Sequence, residues 1–138
     1  MKRKWPIRAL MVLLCMTMLC SIPAHAAETR ASDRIYHSAV SLSKKSNGDL
    51  SIYFSVQATD TMDKIGASSV EVQRNTIFGW VTEYTFDTDN TPTLQTENKS
   101  HYSAVLTYSP LFPGKEYRAV VMIYVENASG VSTQKLTS

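Results

Sequence analysis

The sequence predicts an all-β protein, an antiparallel β-sandwich of about seven strands, and three observations predict it. Residues 50–58 and 117–125 alternate with a period of two, which sends successive side chains to opposite faces of a sheet. Five further short runs rich in Val, Thr and Tyr follow the same habit, separated by Gly, Asn, Asp, Ser and Pro. Beyond residue 26, no window of 11 residues carries apolar side chains at helical spacing. Many short strands in roughly 100 residues, punctuated by turn residues, point to two packed antiparallel layers.

Residues 1–26 read as a secretory signal peptide. Lys2, Arg3, Lys4 and Arg8 form a basic start, residues 9–20 an apolar run, and Ala24-His25-Ala26 a small-residue cleavage site after Pro23. That run is too short for a bilayer, which takes about 20 residues. Residues 27–33 are polar and small, a flexible lead-in, and residues 34–138 form the sandwich domain. Both cysteines, Cys15 and Cys20, lie in the apolar run, so the exported chain has no disulfide, thiolate nucleophile or thiolate-held metal. Leu14 and Leu19 precede them where a lipidation motif wants a small residue, so release to the cell exterior is expected.

The strands follow in order. Residues 35–43 alternate weakly, with Tyr36, Val40 and Leu42 on one side. The connector 44–49 holds Asn47-Gly48, a hairpin signal because both residues tolerate positive φ. In 50–58, Leu50, Ile52, Phe54, Val56 and Ala58 form the inward set, with Tyr53 on the outward phase. Residues 69–74 carry Val70 and Val72; residues 77–86 carry Ile77, Phe78, Trp80, Val81, Tyr84 and Phe86. Residues 102–108 alternate through Tyr102, Ala104, Leu106 and Tyr108. Residues 117–125 are apolar on both faces, which marks a central strand, with Tyr124 outward; a last strand spans 131–137.

The segment Leu111-Phe112-Pro113-Gly114-Lys115-Glu116-Tyr117 resembles the fibronectin type III domain, which carries Leu-x-Pro-Gly-x-x-Tyr between its fifth and sixth strands. The resemblance implies an immunoglobulin-like sandwich and a tyrosine corner, with the Tyr117 hydroxyl bonded to upstream backbone and Leu111 closing the core. Asn127-Ala128-Ser129-Gly130 is similar to the turn after that family's sixth strand, and Phe54 stands where the family has its core Trp. The chain also resembles short secreted bacterial proteins of unknown function, on its leader and on residues 61–66. That second resemblance implies no activity.

Charge excludes some partners. Of 14 Lys and Arg, four fall in the leader, while all 12 Asp and Glu lie beyond it, so the exported chain has a formal charge of −2. A nucleic-acid or anionic-membrane partner would need a basic face, so neither is expected.

Catalysis finds no nucleophile motif. His37 and His101 sit among polar neighbours and read as solvent-facing strand residues, so no catalytic residue and no cofactor are expected. Asp87-Thr88-Asp89-Asn90 offers oxygen ligands of the kind calcium takes. However, Thr91 and Pro92 break the calcium-loop pattern, and the segment reads as a turn capped by its own side chains, with no metal site. Asp60 and Asp63 are a sparser pair of the same kind.

Binding has two readings. A protein-interaction or adhesion-type module would use sheet faces and the end loops 59–66 and 126–130. A small carbohydrate-binding module would use Phe78, Trp80 and Tyr84, whose rings can stack on sugars, with Tyr53 and Tyr124 adding to the aromatic surface. A lone Trp in a small sandwich also suits the core, and both placements of Trp80 stay open. The expected partner is thus an extracellular protein or glycan, for a non-enzymatic exported domain.

Overall fold

The structure is a computed structural model and describes residues 33–138, so the expected signal peptide (1–26) and nearly all of the lead-in (27–33) lie outside the described residues. Six antiparallel strands make up the fold: β1 (Ile35–Lys44), β2 (Leu50–Thr76), β3 (Gly79–Asp87), β4 (Gln95–Tyr108), β5 (Tyr117–Asn127) and β6 (Gly130–Thr137). A 3-10 turn, Pro92–Leu94, precedes β4, and no helix among the described residues is long and apolar enough to cross a membrane.

The expected second and third strands are one. β2 runs 27 residues, where an average strand has about five or six, so the expected end loop 59–66 is strand instead. The polar string Thr59-Asp60-Thr61 reads as a loop in one dimension, but no proline interrupts residues 50–76 and the chain stays extended: the Thr59 amide donates to the Arg34 carbonyl at 3.0 Å, and pairing with β4 resumes at Met62. Two irregularities let so long a strand change direction. Register with β4 shifts between Gln57 and Met62, and register with β5 shifts between Ala67 and Ser69. Bulges of this kind bend a strand and tighten its twist.

β2 therefore serves two layers. Its first half lies between β1 and β4, with Val40, Phe54 and Ala104 in one row. Residues 64–66 then run between β4 and β5, residues 69–74 lie between β3 and β5, and β6 follows β5, giving the order β3–β2–β5–β6 in the second layer. β5 is thus a central strand, as its two apolar faces predict. Ile52, Phe54, Val56 and Leu106 from the first layer pack with Val70, Val72, Val121, Ile123 and Val125 from the second in one buried cluster. Leu94 and Met62 extend that cluster, and all the largest members are out of contact with water.

Gly66 sits where β2 passes under the 3-10 turn. A Cβ placed there would stand 2.1 Å from the Leu94 carbonyl oxygen and 2.8 Å from Gln95 Cα, at φ +149°. Only glycine admits that approach.

Side chains close both open flanks. Where β1 meets β6, Ser38 Oγ donates to Gln134 Oε1 at 2.8 Å and Arg34 donates to Ser132 Oγ at 3.1 Å. Where β3 meets β4, the Tyr84 and Tyr108 rings stack at 5.8 Å and the Tyr108 hydroxyl donates to Glu83 Oε2 at 3.2 Å.

Two expectations from the fibronectin resemblance divide here. The Tyr117 hydroxyl does donate to upstream backbone, the Phe112 carbonyl, at 3.3 Å. Leu111 does not close the core; it is 79% exposed, because the core end is filled from within by Tyr108, Tyr117 and the Arg74–Glu83 ion pair. Tyr36 likewise leaves the face it was expected to share with Val40 and Leu42, since a bulge between Ile35 and His37 turns it to solvent.

Candidate binding surfaces

The β2–β3 hairpin turns in two residues, because Thr76 pairs with Gly79. Those two residues are Ile77 and Phe78, expected in a strand and found at its apex, 93% and 91% exposed. Gly79 takes φ +104° there, and the Thr76 hydroxyl bridges the turn by donating to the Gly79 carbonyl at 2.8 Å. Two large apolar side chains held out by a tight turn cannot fold back onto the sheet.

The loop 109–116 stands beside this apex. Asn75 fixes it twice, its backbone amide donating to the Glu116 carbonyl and its side chain to Glu116 Oε2, each at 2.9 Å. Arg74 lies over the Phe112 ring at 4.2 Å. Between tip and loop is an open depression of about 530 Å³, lined by Arg74, Asn75, Ile77, Lys115 and Glu116 among others. Leu111 and Phe112 add exposed apolar surface to the same end.

Behind that end sits a polar cluster that the sequence reading missed. Glu83 is nearly buried, paired with Arg74, and accepts from Tyr108. Burial and the nearby Glu83 carboxylate push the Tyr108 hydroxyl up to about 12, and the same two causes, in that order, raise Tyr117. These tyrosines act as neutral donors over the whole physiological range.

The three aromatic residues singled out in sequence do not meet. Phe78 is at the hairpin apex. Trp80 is half-buried on the outer face of the four-stranded layer, under Arg118 at 4.3 Å, and outside the core cluster. Tyr84 faces the seam with β4, edge-on to Phe86 at 4.8 Å and stacked on Tyr108. Trp80 and Tyr84 would share a face in a regular strand, but a bulge intervenes: Val72 pairs with Tyr84 while its neighbour Gln73 pairs with Thr82. The patch expected from Trp80 and Tyr84 together is therefore divided between two faces.

On that outer face, Arg118 donates to Gln73 Oε1 at 2.8 Å, and Gln73 donates in turn to Glu71 at 2.9 Å and Thr82 at 3.3 Å. The polar groups beside Trp80 are engaged with each other.

The Asp87–Asn90 segment caps itself, as its composition predicts. Asp87 Oδ1 accepts from the amides of Asp89 and Asn90 at 3.0 and 2.9 Å, and the Asn90 side chain donates to the Thr85 carbonyl at 3.0 Å. No group of three or more His, Cys, Asp or Glu is placed to hold a metal ion among the described residues. At the opposite end from the hairpin apex, Asn127 and Gly130 pair across a two-residue turn, so the expected loop 126–130 is a tight hairpin.

No family model matches the chain, and comparison with curated proteins and with solved structures finds no match either.

Proposed function

We propose that this chain is an exported, non-catalytic domain of the immunoglobulin or fibronectin type III kind that contacts a partner protein through its Ile77–Phe78 end. The observation that carries the reading is the apex itself: two adjacent large apolar residues, more than nine-tenths exposed, fixed by a glycine turn next to a depression. Exposed apolar surface of this kind, rimmed by polar residues, marks interaction sites. A protruding Phe with an Ile beside it suits a protein cleft, where buried aromatic anchors carry much of the binding energy. The neighbouring loop and depression add the surrounding contact that keeps water from such an anchor.

The strand order supports the finer fold. Counting β2 as two strands, the first, second and fifth pair in one layer and the fourth joins the third, sixth and seventh in the other, with the fifth also reaching the third over residues 64–66. Immunoglobulin-like sandwiches group A, B and E against C, F and G in the same way. The Tyr117 bond to the Phe112 carbonyl and the Asn127–Gly130 turn support it further. Export rests on the leader pattern in residues 1–26. The alternative, a carbohydrate-binding module centred on Trp80 and Tyr84, loses support because those rings lie on different faces.

The test is sedimentation of the purified protein with isolated cell walls and with extracellular matrix proteins. Wild-type protein should sediment with a protein fraction, and the Ile77→Ser/Phe78→Ser variant should lose at least tenfold in apparent affinity while melting normally. Binding that survives the double substitution would remove the apex from the interface.

A further inference from the structure

The outer face of the three-stranded layer contrasts with the knitted face around Trp80. Register places His37, Gln57 and His101 in one row across β1, β2 and β4. The next row is Ala39, Ser55 and Ser103, and the one after it Ser41, Tyr53 and Val105. These residues are outward because their neighbours Phe54, Val56 and Leu106 are buried in the core. A depression of about 280 Å³ lies over the first rows, lined by the side chains of His37, Tyr53, Ser55, Gln57, His101 and Ser103 and by adjoining Val56 and Tyr102. Strand spacing sets its width: the two histidines stand two strands apart, roughly 10 Å between backbones.

The chemistry of this lining is narrow. It contains no Lys, Arg, Asp or Glu. It offers two serine hydroxyls, an amide with both donor and acceptor ends, two imidazoles, and the Tyr53 side chain, which is 40% exposed. None of the outward polar side chains, at His37, Ser55, Gln57, His101 and Ser103, forms a hydrogen bond with another of the described residues, unlike those around Arg118. A lining without Lys, Arg, Asp or Glu gives an anion or cation no permanent countercharge. Unpaired donors and acceptors beside an aromatic ring match a neutral ligand with alternating hydroxyls and an apolar ring face.

We infer that this depression is a binding site for a neutral saccharide, with the ring of Tyr53 as platform and Gln57, Ser55, Ser103 and the two histidines as hydrogen-bonding groups. The site is distinct from the hairpin apex and stands or falls separately from it. It also differs from a Trp80 surface, which lies on the other layer.

The experiment is an amide chemical-shift titration of the ¹⁵N-labelled protein. The probes are N-acetylglucosamine tetramer, xylotetraose and maltotetraose at millimolar concentration, with zinc chloride in a separate series. The inference expects one of the saccharides to shift resonances of residues 37, 53–57 and 101–103. Tyr53→Ala and Gln57→Ala, both outward-facing, should each weaken that binding at least tenfold at unchanged melting temperature, while Trp80→Ala and Ile77→Ser should leave it within twofold. Shifts at these residues with zinc alone would overturn the inference in favour of a two-histidine metal site. Saccharide shifts elsewhere, or none with any of the three probes, would overturn it as well.

Discussion

Replacing Gly66 by Ala tests the point on which the two-layer arrangement turns. The new methyl group would lie 2.1 Å from the Leu94 carbonyl oxygen, 2.8 Å from Gln95 Cα and 3.0 Å from the Leu94 carbonyl carbon, all backbone atoms that no rotamer change can move. At φ +149° an L-residue is strained as well. Left-handed backbone costs about 1–2 kcal/mol for a residue with a Cβ. Forcing a methyl group into closed packing costs about 1–3 kcal/mol more. The sum, about 2–5 kcal/mol, is a large share of the 5–15 kcal/mol or so that holds a domain together. At roughly 4–8 °C per kcal/mol, Tm should fall by about 8 °C or more. Gly48→Ala is the control, because φ is +92° there but nothing lies within 4 Å of the added atom. It should cost only the backbone strain, about 1–2 kcal/mol. Urea unfolding followed by circular dichroism measures both. If Gly66→Ala is no more destabilising than Gly48→Ala, the close approach of β2 to the 3-10 turn is not what the structure describes.

Two further outcomes follow from the core and from its polar end. Phe54→Ala should lose about 3–5 kcal/mol, since the ring is wholly buried and meets Tyr102 edge-on at 6.3 Å; a loss under 1.5 kcal/mol in urea would take Phe54 out of the core. Tyr108 should give the domain an alkaline weakness. Its hydroxyl titrates at about 12 in the fold against 10.0 in a free chain. Between those values the unfolded chain has released a proton that the fold retains, so stability present below pH 10 is lost as pH rises toward 12. Tyr108→Phe should flatten that decline, and Glu83→Gln should reduce it in part, because burial is the larger cause. Thermal melts from pH 8 to pH 11 measure the slope; equal slopes in wild type and Tyr108→Phe would remove Tyr108 as the source.

Much of the fold is legible in the sequence because the core strands alternate cleanly. Leu50 to Ala58 and Tyr117 to Val125 pack as their period of two requires, and Asn47-Gly48 and Asn127–Gly130 mark real hairpins. The errors cluster where register leaves regular pleating. Thr59-Asp60-Thr61 carries loop chemistry, yet β2 continues through it because pairing up to Ala58 on one side and from Met62 on the other holds the chain extended across the string, which a one-dimensional reading cannot see. The bulge opposite Val72 and Gln73 separates Trp80 from Tyr84, and no residue type announces it. Ile77-Phe78 looks like strand because both are apolar; only Gly79, with Asn75-Thr76 before the pair, hints at the turn. The Glu83 cluster joins residues from four segments, and charge patterning along the chain gives no sign of it. The row His37–Gln57–His101 likewise depends on two registers at once.

The sharing of β2 between layers has a consequence for how the molecule opens. Sandwiches built from separate sheets can part along the plane between them, each sheet surviving for a time as its own unit. Here four of the other five strands bond directly to β2, so neither layer can lose its central strand while the other keeps it. Excursions from the native state are then confined to the flanks, β6 above all, until the whole domain melts at once. Amide exchange should accordingly be slowest along the paired parts of β2, from Ile52 to Ala58 and from Ile65 to Val72, with both proposed surfaces riding on the most persistent element of the fold.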